Sequence, residues 1–117
     1  MSEAYKVIFH LDDYNSKRMG LTFSNIVNLF DDMSDENLEV ELLVNGPAVK
    51  AFTKSNMHVL ERVQQLAALG VDILVCRNAL RVHGILHKDL PGEVEVVPSG
   101  VGWLVRRQAE DWIYIRP

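Results

Sequence analysis

Short apolar runs alternate with longer stretches in which apolar residues recur every three to four positions, and this rhythm continues along the whole chain. Tyr5-Lys6-Val7-Ile8-Phe9-His10-Leu11 reads as a first strand, Asp12 to Ser16 as a polar loop, and Lys17 to Asp32 as a helix carrying Leu21, Ile26, Val27, Leu29 and Phe30. Leu38 to Val44 begins as a polar-apolar alternation and ends fully apolar, which predicts a second strand. It breaks at Asn45-Gly46-Pro47, where glycine permits a turn and proline removes a donor. Asn56 is placed to cap a helix whose apolar positions are Val59, Leu60, Val63, Leu66, Ala67 and Leu69, with Gly70 as its stop. The run Val71 to Val75 then predicts a third strand leading to Cys76, followed by a short helix through Leu80. An irregular stretch containing Lys88-Asp89-Leu90-Pro91-Gly92 precedes a fourth strand at Val94 to Val97. Ser99 caps a last helix from about Val101 to Glu110, and Asp111 to Arg116 predicts the final strand.

Strands alternating with helices are the pattern of βαβ units, so the expectation is an α/β fold: a single three-layer α/β/α domain with a mainly parallel five-stranded sheet over residues 1–117. A chain of 117 residues is long enough for one core and too short for a second. The pattern contains no linker, internal repeat or low-complexity segment. Strand order stays open at this level.

Composition narrows the classes of function. With 48% hydrophobic residues, 24% charged residues and a net charge of −4, the chain is globular in character and has no basic footprint for nucleic acid. No apolar run approaches the roughly 20 residues that a spanning helix requires, and Met1 to Lys6 do not have the pattern of a secretory leader. A single cysteine makes no internal disulfide. The expectation is a soluble, cytoplasmic protein with no nucleic-acid or membrane partner, no metal and no cofactor.

Cys76 carries the positional argument for chemistry. Ligands of open α/β sheets bind beyond the carboxyl ends of the strands, and a thiol at such a terminus meets helix-start N–H groups and, here, the flanking Arg77 and Arg81, influences that favour the thiolate. His10 ends the first strand on the same rim and is the candidate proton partner. Adjacent strands, about 5 Å apart, would let the two meet, whereas an intervening strand would require a water or a substrate atom between them. Asn45 and Gly46 close the second strand on that rim and Ser99-Gly100-Val101-Gly102 opens the last helix there, so their amides could converge on an anion. With Arg77 and Asn78 beside the cysteine, these residues make up the candidate binding set. Each has a plainer reading: Cys76 as a small buried hydrophobe, His10 as a rim histidine bonded to a backbone carbonyl, and the glycines as turn formers, since the third glycine of a dinucleotide fingerprint and the P-loop lysine are both missing.

His83 and His87 have helical spacing for two metal ligands, but no third ligand is placed by a motif and Gly84 interrupts the helix. Asp31-Asp32 with Asp35-Glu36 lack EF-hand spacing and read as a solvated loop. Trp103, Trp112 and Tyr114 are expected in the core or in an oligomer contact.

Four segments, Tyr5 to His10, Val44-Asn45-Gly46-Pro47-Ala48-Val49, Gly70-Val71 through Cys76-Arg77-Asn78-Ala79-Leu80, and Val97 to Val101, together resemble the DsrE/DsrF-like family, the YchN-like α/β proteins of sulfur metabolism. The resemblance spans nearly the whole chain and is similar to the small stand-alone members. It implies that Cys76 carries sulfane sulfur as a persulfide, that donor and acceptor proteins are its partners, and that the chain forms a homo-oligomer, a trimer or hexamer. No catalytic motif of the family transfers to His10, Asn45 or Gly46. Lacking a second cysteine, this chain would have to pass sulfur between molecules. Two readings from other classes stay open: a non-catalytic homo-oligomeric module binding a small ligand or nucleotide in a crevice of His10, Asn45, Cys76 and Ser99, and a subunit acting only within a hetero-complex.

Overall fold

The computed structural model describes residues 4–117, so the part of the leader reading that rests on residues 1–3 lies outside the described residues. Five strands, β1 (Tyr5–Leu11), β2 (Leu38–Val44), β3 (Asp72–Cys76), β4 (Val94–Val97) and β5 (Ile113–Ile115), form one sheet in the order β4-β3-β2-β1-β5, and every neighbouring pair is parallel. Four α-helices connect them: α1 (Ser16–Asp32), α2 (Met57–Ala68), α3 (Arg77–Val82) and α4 (Gly100–Ala109). The α/β class and the five parallel strands are those the sequence predicts.

The strands read as almost continuous apolar runs because both faces are covered. Val7, Phe9 and Leu11 of β1, Val40, Leu42 and Val44 of β2, and Ile73 and Val75 of β3 share the large core with Phe23 and Ile26 of α1 and Val59, Val63 and Leu66 of α2. The alternate positions Ile8, Leu43, Leu74 and Val97 form a smaller core under Leu104 of α4. Thus α1 and α2 pack on one face and α4 packs on the other. This division follows from the strand order. The chain steps steadily from β1 to β4, keeping successive right-handed crossovers on one face, and then doubles back to β5 beyond β1, which puts the last crossover on the opposite face.

Asn15, Asn56 and Ser99 cap α1, α2 and α4 through their side-chain oxygens. Two segments differ from the sequence expectation. Gly46–Ala51 is a 3-10 helix rather than a simple turn, with Pro47 at its start, where a missing N–H costs nothing. At the other end, Asp111 takes a left-handed backbone (φ 67°) and the Trp112 N–H bonds back to the Arg107 carbonyl at 3.0 Å, so the C-terminal turn of α4 absorbs both residues and β5 begins only at Ile113.

Candidate functional site

The strand order creates one topological switch point. The chain leaves β3 toward the large-core face as α3 and leaves β4 toward the other face as α4, so the two exits diverge beyond the carboxyl ends of adjacent strands. Cys76 is the last residue of β3 and pairs with Val97, the last residue of β4. On its other side, Val44 is opposite Val75, so the register continues with Asn45 beside Cys76. A cavity of about 270 Å³ opens there, lined by Asn45 and Gly46 after β2, Cys76, Asn78, Ala79 and His83 around α3, and Ser99, Gly100 and Val101 at the start of α4. Of the six sequence-predicted site residues besides Cys76 and His10, five converge on it: Asn45, Gly46, Asn78, Ser99 and Gly100.

Cys76 itself is buried, with 6% of its surface exposed, and its thiol joins the large core with Ala79 and Leu80 while lining the cavity. It stands at the N-cap position of α3 without a side-chain cap bond. The cavity is lined mainly by apolar surface, and the start of α4 forms one side of it. Ser99 Oγ accepts from the Gly102 N–H at 3.1 Å, and the Ser99 carbonyl accepts from the Trp103 N–H at 3.0 Å. The Gly100 and Val101 N–H groups are thus the first-turn donors facing this end of the helix.

Glycines stand at two close approaches. A Cβ on Gly100 would lie 3.0 Å from Asn45 Cβ and 3.1 Å from Leu43 Cδ1, so α4 starts tight against the end of β2. Gly46 has φ 56°, and a Cβ there would lie 3.1 Å from the Asp12 carbonyl oxygen, joining the turn after β2 to the loop after β1.

The expected cationic neighbours do not line this cavity. Arg77 and Arg81, one turn apart on α3, instead line a separate groove beside edge strand β4 with Leu80, Ile85, His87 and Val94. Arg77 is therefore removed from the cavity wall: immediate sequence neighbours of a residue on a helix project in different directions. The His83–His87 pairing is also lost, because α3 ends at Val82 and Gly84 turns the chain, leaving His83 at the Cys76 cavity and His87 in the β4 groove. Among the described residues, no group of three or more His, Cys, Asp or Glu side chains is arranged to hold a metal ion.

His10 is not a direct partner of Cys76. β2 lies between their strands, and both ring nitrogens are engaged elsewhere: Nε2 lies 2.8 Å from Asn45 Oδ1, and Nδ1 lies 2.6 Å from the Tyr114 hydroxyl. Asp12 Oδ2 is 4.0 Å from Nε2 and Arg116 donates to Asp12 Oδ1 at 2.9 Å. Burial opposes the charged form of Asp12, but the Arg116 hydrogen bond and the charges of His10 and Arg116 together hold its carboxyl below the usual carboxylate range. Burial also pushes the Tyr114 hydroxyl up, keeping it protonated. His10 is thus linked to the cavity only through Asn45, which touches both.

The sequence reading missed the charged centre of the opposite face. Glu41, 4% exposed, accepts hydrogen bonds from Trp103 Nε1 at 2.8 Å and from Arg107 Nε and Nη2 at 3.0 and 2.7 Å. The Arg107 guanidinium lies 4.6 Å from the centroids of both the Trp103 and Trp112 rings. Hydrogen bonding to Glu41 holds Arg107 more firmly protonated than usual. The two tryptophans therefore clasp an internal ion pair that fastens α4 to the sheet. An alternating Glu39-Val40-Glu41 carries no local sign that one glutamate is solvated and the other buried.

The sequence model of the DsrE/DsrF-like family matches residues 6–117. No curated protein matches the chain. Among solved structures, the protein of unknown function MTH1491 from Methanobacterium thermoautotrophicum is 38% identical, with a TM-score of 0.90 over 97% of this chain and 99% of that one. The ychN protein from E. coli is 19% identical, with a TM-score of 0.76 over 96% of this chain and 98% of that one. A conserved protein of unknown function from Bacteroides thetaiotaomicron, BT1422, is 12% identical, with a TM-score of 0.78 over 97% and 95% of the two chains. The last two are alike in fold alone.

Proposed function

The chain belongs to the DsrE/DsrF-like family, and from that premise we propose that it is a sulfur carrier, with Cys76 as the residue that bears sulfur as a persulfide. One observation supports this most: the only cysteine of the chain lines the cavity at the switch point of the sheet, between Asn45 and the first turn of α4. The Cys76 thiolate attacks the outer sulfur of a persulfide donor, forming a new S–S bond as the donor's own S–S bond breaks. The bonding electron pair leaves with the donor sulfur, which takes up a proton as a thiol. An acceptor thiolate then attacks the outer sulfur of the Cys76 persulfide and returns Cys76 to its starting form. No net oxidant or reductant is consumed, since sulfane sulfur passes from one thiol to another.

The wall suits the anions in this exchange. Among the described residues no carboxylate lines the cavity, and the Gly100 and Val101 N–H groups belong to the positive end of a 10-residue helix. Because the chain holds one cysteine, donor and acceptor must be other molecules. Val82 and Val101 on the cavity rim are 79% and 63% exposed, apolar surface that a donor, an acceptor or a further copy in a homo-oligomer would cover.

Incubation with a sulfane-sulfur donor followed by intact mass measurement is expected to show a gain of one sulfur per chain. The gain should disappear with reductant and in Cys76→Ser. Absence of any adduct on the unaltered chain refutes the proposal. The burial of Cys76 favours a second reading, a binding module for a small anion. Thermal stabilisation by a ligand that is undiminished in Cys76→Ser would establish that reading instead.

A further inference from the structure

We propose that His10 is a positioning residue, which acts on the Cys76 cavity by fixing which end of the Asn45 carboxamide faces into it. This rests on the proposed role of the cavity as an anion-handling site and adds to it the residue that sets its polarity. An asparagine side chain has an acceptor end and a donor end, and rotation by half a turn exchanges them. The cavity would then present either N–H donors, which suit an anionic sulfur, or a carbonyl oxygen, which repels one. Nothing in Asn45 itself selects between the two.

Its neighbours do select. Asn45 Oδ1 lies 2.8 Å from His10 Nε2, an arrangement that requires the hydrogen to sit on Nε2. With the hydrogen on Nε2, Nδ1 of the neutral ring is an acceptor, and the Tyr114 hydroxyl, 2.6 Å away, is the group that can donate to it. The Asp12 carboxylate, 4.0 Å from Nε2, favours a hydrogen on the same nitrogen. A doubly protonated ring would still donate from Nε2. In both states His10 holds Oδ1, so Nδ2 is turned to the other side, where it lies 3.2 Å from the position of a Cβ on Gly100. Gly100 and Asn45 both line the cavity. The side chains facing His10 come from the loop after β1 (Asp12), the turn after β2 (Asn45) and β5 (Tyr114), with Arg116 held behind Asp12.

Alkylation of Cys76 by a neutral and an anionic reagent of similar size, iodoacetamide and iodoacetate, reads the polarity of the cavity without any sulfur donor. The measured quantity is the ratio of the iodoacetate rate to the iodoacetamide rate at one pH. In His10→Leu the Asn45 lock is lost and the ratio is expected to fall about fivefold, roughly the net worth of one ordinary hydrogen bond. In Asn45→Asp it should fall about tenfold or more, because a carboxylate adds repulsion. His10→Gln, whose amide N–H can stand where Nε2–H stood, should keep the ratio within about twofold of the unaltered chain, an allowance smaller than one such bond. A purely structural role for His10 would change both rates together and leave the ratio alone. The proposal is overturned by an unchanged ratio in His10→Leu, by a His10→Gln ratio as low as that of His10→Leu, or by an unaltered chain that neither reagent modifies. A chain that shows the expected ratios yet gains no sulfur refutes the carrier function and leaves the role of His10 standing.

Discussion

Arg107 donates to both carboxylate oxygens of Glu41, Nη2 to Oε2 at 2.7 Å and Nε to Oε1 at 3.0 Å, across 66 residues of sequence. The pair joins α4 to the middle of β2 on the face that no other α-helix covers. Removing one partner leaves a charge without compensation in a buried setting, and such losses are costly even where the intact pair adds little net stability. Arg107→Met and Glu41→Leu are each expected to lower the unfolding free energy by about 3 kcal/mol, toward the lower part of the usual range because the Arg107 side chain is 23% exposed. The double variant should recover most of the loss. Urea denaturation of the four proteins measures this directly, and a double variant as weak as the sum of the singles would contradict it.

The start of α4 depends on close contact with β2. In Gly100→Ala the new Cβ meets Asn45 Cβ at 3.0 Å and Leu43 Cδ1 at 3.1 Å, one atom from the cavity wall and one from the second core. A loss of about 2 kcal/mol is expected, in the range for overpacking. By contrast, Ser99→Ala removes the cap on the Gly102 N–H and should cost about 1 kcal/mol without any clash. Thermal unfolding should rank the two in that order, and the reverse ranking would mean that α4 moves freely away from β2.

Asp12 links stability to acid. Its carboxyl is held below the ordinary value by Arg116 and His10, so the folded state favours the ionised form more than the unfolded chain does. For a group lowered in this way, the added stability is fully present above the unfolded value of 3.8 and is lost as pH falls through the folded value. Asp12 is therefore expected to contribute nothing to the pH dependence near neutrality and to steepen the loss of stability below about pH 4. Comparison of Asp12→Asn with the unaltered chain across pH 2 to 7, by denaturant midpoint, should show a shallower acid limb in the variant. Identical limbs would refute the coupling.

Much of the scaffold can be read along the chain. The bounds of β1, β2 and β4 agree with the apolar runs, and Asn56 and Ser99 cap their helices as their positions suggest. Cys76 at a strand end and the glycine-containing turns on the same rim were legible for the same reason: each depends on a few neighbouring residues. Less local features were not. Arg77 and Arg81 are adjacent to Cys76 in sequence yet line another groove, because the path of α3 sets their direction.

The chain's periodicity, turn residues and caps determined which segments are strands, which are helices and where the thiol falls, since these respond to steric and hydrogen-bonding preferences within a turn or two of backbone. Tertiary structure alone decided that β2 lies between His10 and Cys76, that Asn45 bridges His10 to the cavity, and that Tyr114 reaches back 104 residues to His10. Those relationships come from strand order and register. They are set by how two sheet faces bury their apolar rows at once, which no local window of sequence contains.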